Sequence, residues 1–342
     1  MARGVDSSRR KERMAVTVNQ AVDNYLTDLA LEGKSPETIL WHHKKLSAFC
    51  QFLQNGGEPL RVSDLTLENG RAFVKGLMDR KTRYGEHIIR REVEGGLAPQ
   101  TVHGFVRSIR TFASWLQREG YSEEHVFQGL KPPKLPQVLI QPLTEDEIRK
   151  LLLVIPQDTS EGVRNQAIVM IFLDTGIRLS ELVNLKLSEI DFAAGQFKVF
   201  GKGAKERIVP MGLATRRAII RYRDHFRPQP MNPTEDRLFA TVAGDPISKD
   251  SVEKVIQRLA RRAQIPRLHP HLLRHTFAVR YLVNGGDVFT LQKILGHASL
   301  EMTRKYVTLA SGDVKEKHRQ YSPIDNLGLV ERKRGRPKMH LS

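Results

Sequence analysis

GLKPPKLPQVLIQP, residues 129–142, places prolines at 132, 133, 136 and 142 in one short run. Proline lacks the N–H that a helix interior needs and fixes φ, so the run cannot carry a helix and forms an extended, semi-rigid connection. It divides the 342 residues into two parts of domain size, as a chain of this length leads one to expect.

On the N-terminal side the patterning is helical. VTVNQAVDNYLTDLALEG repeats Val18, Val22, Leu26 and Leu29 and stops at Gly33. SPETILWHHKKLSAFCQFLQNGG sets Ser35 and Pro36 in the N-cap and first-turn positions and ends at Gly56-Gly57. A further helix is expected around 66–79. Residues 80–96 show no core-facing period and read as an exposed, mostly basic excursion. In residues 97–120, Val102, Phe105, Val106, Ile109, Phe112, Ala113 and Leu116 form one stripe, with His103, Arg107 and Arg110 elsewhere on that helix. Arg107 and Arg110 fit either a solvated face or a face against a DNA backbone.

On the C-terminal side, LTEDEIRKLL opens with a capping box from Thr144 to Glu147. A buried helix is expected over 165–176. QFKVF and RIVPMG, joined by GKGAKE, read as a β-hairpin. Helices follow near 213–227, 248–263, 271–284, 287–295 and 299–308. The fold class is therefore mainly α with a small β-sheet: an all-α first domain and an α+β second one. The divisions are a basic arm at 1–15, a first domain at 16–128, the linker at 129–142, a second domain at 143–310 and a tail at 311–342.

Charge narrows the function. The net charge is +17 with a pI near 10. Residues 1–13 carry five Lys/Arg against two acids and residues 331–338 five against one, which leaves +10 on the body between them. A basic body points to a polyanionic partner, most simply nucleic acid. The single cysteine, Cys50, excludes an internal disulfide framework and fits a reducing cytoplasm. No run is long and apolar enough to span a bilayer, and MARGVDSSRRKERM has no apolar stretch behind its basic residues, so neither membrane nor secretory routing is expected.

HPHLLRHTFAVRYL, residues 269–282, gathers His269, His271, Arg274 and His275. His271 and His275 have a zinc-compatible i,i+4 spacing, but Leu272 stands where a zinc hydrolase needs Glu, and no third ligand lies near. No metal is expected. His271 and Arg274 share a helix face near its N-terminus, where anions are favoured, and a guanidinium fork suits a phosphate. Elsewhere, DTGIRLSELVNL follows Arg178 with Glu181 one turn on, a carboxylate able to orient the guanidinium. FGKGAKER holds Lys202 between two glycines. LGHASLEMTRKYVTL sets His297 after a glycine and Tyr306 nine positions later.

TGIRLSEL, GKGAKER, HLLRHTFA and LGHASLEMTRKY, in that order, resemble the tyrosine recombinases, the phage-integrase and Xer family. The resemblance covers nearly the whole chain. It implies a core-binding (SAM-like) first domain and a catalytic second domain that form a C-shaped clamp on double-stranded DNA. It puts the family's catalytic set on Arg178, Lys202, His271, Arg274, His297 and Tyr306, with Glu181 supporting. Lys205 is a second hairpin lysine, though Lys202 fits the family interval better.

The implied reaction is attack by Tyr306 on a DNA phosphodiester, giving a 3′-phosphotyrosyl link and a free 5′-hydroxyl. Arg178 and Arg274 would hold the non-bridging oxygens, and Lys202 would protonate the leaving oxygen. His271 would serve the tyrosine as acid/base partner, and His297 would donate to the phosphate. No cofactor is implied. The family implies self-association into a synaptic tetramer on two sites, and leaves room for a second recombinase or an accessory DNA-bending protein. A cytoplasmic, nucleoid-associated enzyme is expected. A type IB topoisomerase-like relaxing enzyme and a DNA-binding regulator with a degenerate recombinase fold are the competing readings.

Only about 15 residues precede the first helix, too few for a further folded domain. That favours a simpler Xer-like or transposon-type member. Residues 311–321 read as a short polar helix of the kind that docks on a neighbouring subunit. Arg334-Gly335-Arg336-Pro337 resembles an AT-hook for the minor groove, against the plainer reading of a basic tail.

Overall fold

A computed structural model describes residues 15–54, 60–80, 95–135, 140–201, 206–297, 299–301, 303, 304 and 306, and the backbone of 82–83 and 93–94. The expectations for Lys202, Lys205, Arg334, Arg336, the tail at 311–342 and nearly all of the basic arm lie outside the described residues. Contacts divide the chain into two units, Met1–Val138 and Leu139–Ser342.

The first unit contains α1 (Val18–Leu31), α2 (Pro36–Gln54), α3 (Leu67–Met78) and α4 (Pro99–Arg118). Thr17 and Gln20 form a capping box ahead of α1, and Thr66 and Asn69 form one ahead of α3. Gly33 follows α1 with φ +69°, the left-handed turn that ends a helix. Leu46, Phe49, Ile109, Phe112, Leu116 and Phe127 are fully shielded from solvent. Cys50 is buried among them. Arg107 and Arg110 are exposed on α4.

The all-α expectation needs one correction here. Strands β1 (Thr82–Arg83) and β2 (Val93–Glu94) pair antiparallel at the base of the 80–96 excursion. Backbone pairing this short carries no sequence period, and it satisfies groups that a plain loop would leave to water.

In the second unit, α5 (Glu145–Leu153) starts at the Thr144–Glu147 capping box. Helix α6 (Ser160–Thr175) begins five residues before the expected 165, because Thr159 caps it through the Gly162 amide. It runs through the core and packs on two later helices. Next come α7 (Leu179–Val183), β3 (Ile190–Asp191), β4 (Gln196–Phe200), β5 (Glu206–Pro210) and α8 (Leu213–Arg221), which continues into a π turn at Tyr222–Phe226. Helices α9 (Lys249–Arg262), α10 (Pro270–Val283) and α11 (Val288–Leu295) follow. The sheet order is β3-β4-β5, all antiparallel.

Pairing of Phe197 with Val209 faces the core, and pairing of Lys198 with Ile208 faces outward. Helix α6 packs on α8 and α10, and β5 packs on α11. Residues 140–143 lie along α10. His275 Nε2 donates to the Ile140 carbonyl at 2.6 Å, Thr276 Oγ1 accepts from the Leu143 amide at 3.0 Å, and Arg267 reaches the Gln141 carbonyl at 2.8 Å. Among the described residues no helix is long and apolar enough to cross a membrane.

Candidate active site

Arg178 owes its place to Gly176. That glycine ends α6 with φ +60°, a conformation L side chains rarely adopt. A Cβ there would stand 2.3 Å from Phe277 Cδ1 and 2.9 Å from Leu295 Cδ2. The turn buries Ile177 and leaves Arg178 extended at the start of α7.

Glu181, buried at 5% exposure, binds back to it. Its Oε2 accepts from the Arg178 amide at 2.8 Å and its Oε1 from Arg178 Nη1 at 2.9 Å. Arg207 on β5 grips the same carboxylate, Nη1 to Oε1 at 2.7 Å and Nη2 to Oε2 at 2.8 Å. Burial alone would raise the Glu181 pKa. Hydrogen bonds from Arg207 and from the Arg178 amide, with the Arg207 charge, outweigh it and hold the carboxyl below its ordinary value.

Arg274 sits on α10 at 6% exposure. Its Nη1 donates to the Gly176 carbonyl, and its Nη2 donates to the Leu295 carbonyl at 2.8 Å and to His297 Nε2 at 3.0 Å. Burial, then the Arg178 charge beside it, press its pKa down to about 10, so it stays cationic at neutral pH.

The C-terminal end of α11 draws these cations together. Three successive carbonyls each take one guanidinium: Ile294 from Arg207 Nε at 2.8 Å, Leu295 from Arg274, and Gly296 from Arg178 Nη2 at 3.1 Å. These carbonyls have no partner within the helix and form the negative end of its dipole, which offsets part of the repulsion among the arginines.

Gly296, at φ +61°, then turns the chain toward His297. His297 Nδ1 lies 2.9 Å from Thr303 Oγ1. Tyr306 is buried at 5% exposure, its ring centroid 6.1 Å from His297 in a stacked arrangement and 5.2 Å from His275. Burial raises the phenol pKa, and the Arg274 and Arg178 charges pull it part of the way back, leaving it above its ordinary value. The resting tyrosine is therefore a neutral phenol.

His271, exposed on the first turn of α10, opens onto a cavity of about 250 Å³ lined also by Ile177, Arg178, Glu253, His269 and Arg274. The structure thus brings Arg178, Glu181, Arg274, His297 and Tyr306 together, with His271 on the same cavity as the two arginines. Arg107 and Arg110 lie in the other unit. Two cationic forks, two imidazoles and a phenol suit transfer of a phosphoryl group to oxygen.

Sequence reasoning passed over Arg207 and Thr303. A signal existed for Arg207: in RIVPMG it shares a strand face with the core residues Val209 and Met211, while Ile208 is 60% exposed on the other. A charged residue on the inward face implies a buried partner.

Residues 141–312 match the model of the phage integrase family. A tyrosine recombinase XerC of Staphylococcus aureus (strain bovine RF122 / ET3-1) is 32% identical over 302 residues, spanning 87% of this chain and 95% of that protein. Among solved structures, a Tn1549 transposon integrase in complex with a circular intermediate DNA aligns with TM-score 0.66 at 19% identity, covering 91% of this chain and 99% of that one. A lambda integrase tetramer bound to a Holliday junction aligns with TM-score 0.65 at 18% identity, covering 85% and 77%.

Proposed function

Because the chain belongs to the phage integrase family, the tyrosine recombinases, we propose that its cluster of arginines, histidines and Tyr306 is the strand-transfer site. The chain is a site-specific DNA recombinase, an enzyme that cleaves and rejoins duplex DNA through a 3′-phosphotyrosyl intermediate. The roles within it are our reading. Tyr306 Oη attacks the scissile phosphorus, the bond to the 5′ oxygen breaks, and the phenol proton passes to His271. Arg178 and Arg274 neutralise the non-bridging oxygens as charge builds on them, and His297 donates to the phosphate. Lys202 protonates the leaving 5′ oxygen. The phosphotyrosyl ester keeps the energy of the broken bond, so an incoming 5′-hydroxyl reverses the step on a new strand.

The observation that carries this reading is the convergence of Arg178, Arg274, His297 and Tyr306 from distant positions in the chain onto the end of α11. The +17 charge supports duplex DNA as the partner, with Arg107 and Arg110 on the DNA-facing side of the first unit. Self-association on paired sites is part of the proposal, because strand exchange needs a second 5′-hydroxyl; the lambda integrase tetramer offers the parallel. A cytoplasmic, nucleoid-associated setting belongs to the same reading.

The test uses the DNA site that the chain itself selects from a random-sequence pool, nicked so that the cleaved end diffuses away. Wild type and Tyr306→Phe are incubated with it in EDTA and run on a denaturing gel. A covalent protein–DNA band from wild type alone is expected. Bands from both proteins would remove Tyr306 from the role. Tight binding without a band from either would favour a DNA-binding regulator.

A further inference from the structure

We propose that Arg207 is a positioning residue for strand transfer, setting Arg178 through the Glu181 carboxylate and the His297 turn through the Ile294 carbonyl. The proposal rests on the strand-transfer reading above.

Arg207 is not a surface charge: its side chain is 13% exposed and it does not line the cavity. All three of its guanidinium nitrogens are engaged, two by Glu181 and one by Ile294. The Glu181 carboxylate is saturated in turn. Each oxygen accepts once from Arg178 and once from Arg207, so it cannot rotate without breaking bonds to both. Arg178 Nη1 takes its position from that carboxylate, and its Nη2 from the Gly296 carbonyl. A Cβ at Gly296 would meet Arg207 Nη1 at 3.0 Å and Cδ at 3.1 Å, so the Arg207 side chain also packs against the turn that presents His297.

Bringing a third cation beside Arg178 and Arg274 is costly, and a well-packed apolar residue on β5 would serve stability alone at least as well. The fork does what an apolar residue cannot: it fixes Glu181 in two directions at once. Without Arg207, among the described residues each carboxylate oxygen keeps a single bond, to Arg178, so the carboxylate is free to turn and to draw Arg178 Nη1 with it.

The test is single-turnover cleavage by the full chain of the selected, nicked DNA site, made with either an ordinary scissile phosphate or a methylphosphonate. The methylphosphonate replaces one non-bridging oxygen by methyl and carries no charge, so a misplaced Arg178 matters little there. Arg207→Met is expected to slow cleavage of the phosphate by about a hundredfold, the scale of losing one transition-state charge donor, and of the methylphosphonate by less than about fivefold. Arg207→Lys, which keeps the charge but not the fork, should fall between. Comparing the two DNAs cancels any loss of folded protein.

Equal slowing on both DNAs would make Arg207 a structural residue only and overturn the proposal, as would undiminished cleavage of the phosphate. Wild type that cleaves the phosphate and leaves the methylphosphonate intact would overturn it as well, since Arg178 would then serve something besides charge. Wild type that forms no adduct on either DNA would overturn the strand-transfer reading and this proposal with it.

Discussion

The Nε2 atom of His297 lies 3.0 Å from Nη2 of Arg274, and because a guanidinium has only donors, the imidazole must accept there. Its proton then sits on Nδ1 and is donated to Thr303 Oγ1, 2.9 Å away. Donation to a phosphate needs that proton on Nε2 instead. A hydroxyl both donates and accepts, so Thr303 can reverse its bond and support either tautomer. Thr303→Val, at a fully buried position, removes that freedom at constant volume. It should slow single-turnover cleavage about tenfold, one net hydrogen bond of ~1.4 kcal/mol. Thr303→Ser should stay close to wild type, and quenched-flow rates distinguish the two.

Glu181 should make stability sensitive to acid. Its folded pKa lies below its ordinary 4.5, so its contribution is complete above that pH and is lost as pH falls through the lower folded value. Wild type should therefore lose stability below pH 4.5 more steeply than Glu181→Gln does. At neutral pH the Gln variant should itself be about 3–5 kcal/mol less stable, the cost of breaking a buried ion pair from one side. Urea titrations at a series of pH values measure both effects.

His42, in the first unit, should act at milder pH. Burial, with the charges of Arg107 and Lys45, lowers its pKa from 6.5 to about 4. Its Nδ1 is 2.9 Å from Ser108 Oγ, and it lies edge-on to the Tyr25 ring. The unfolded chain binds the extra proton first, so stability is full above pH 6.5 and declines toward pH 4, by roughly 3 kcal/mol at most. His42→Gln should flatten that slope in thermal melts between these limits.

Gly176 and Gly33 share a left-handed φ but not their surroundings. Among the described residues nothing lies within 4 Å of a Cβ at Gly33, whereas one at Gly176 would run into Phe277 and Leu295. Gly33→Ala should cost about 1 kcal/mol of backbone strain, and Gly176→Ala about 2–4 kcal/mol from strain and overpacking together. Gly176→Ala should also slow cleavage, because the same residue's carbonyl holds Arg274. Denaturant midpoints and cleavage rates check the pair.

Local signals made most helices legible. Capping pairs such as Thr144 with Glu147, and prolines at 36 and 270, act through atoms a few residues apart, and a core-facing stripe declares its own period. The β4–β5 hairpin was readable for the same reason, since Phe197, Val199 and Val209 alternate with exposed neighbours. Strands β1, β2 and β3 have two residues each, too few to show alternation. At the site, the identities of Arg178, Glu181 and Arg274 stood out in the sequence, but their organiser did not. Arg207 meets Glu181 across 26 positions, and the carbonyls of Ile294, Leu295 and Gly296 belong to the backbone, which leaves no mark in side-chain chemistry.

The three-carbonyl end of α11 gives the protein an indexing pin. Substitutions along its surface leave those carbonyls where they are. One residue added or removed between Asp287 and Leu295 turns them by about 100° around the helix axis and scatters Arg178, Arg207 and Arg274 in a single event. The length of this helix is therefore under tighter constraint than its composition, and natural variation in α11 should consist of exchanges of residues, never of insertions or deletions.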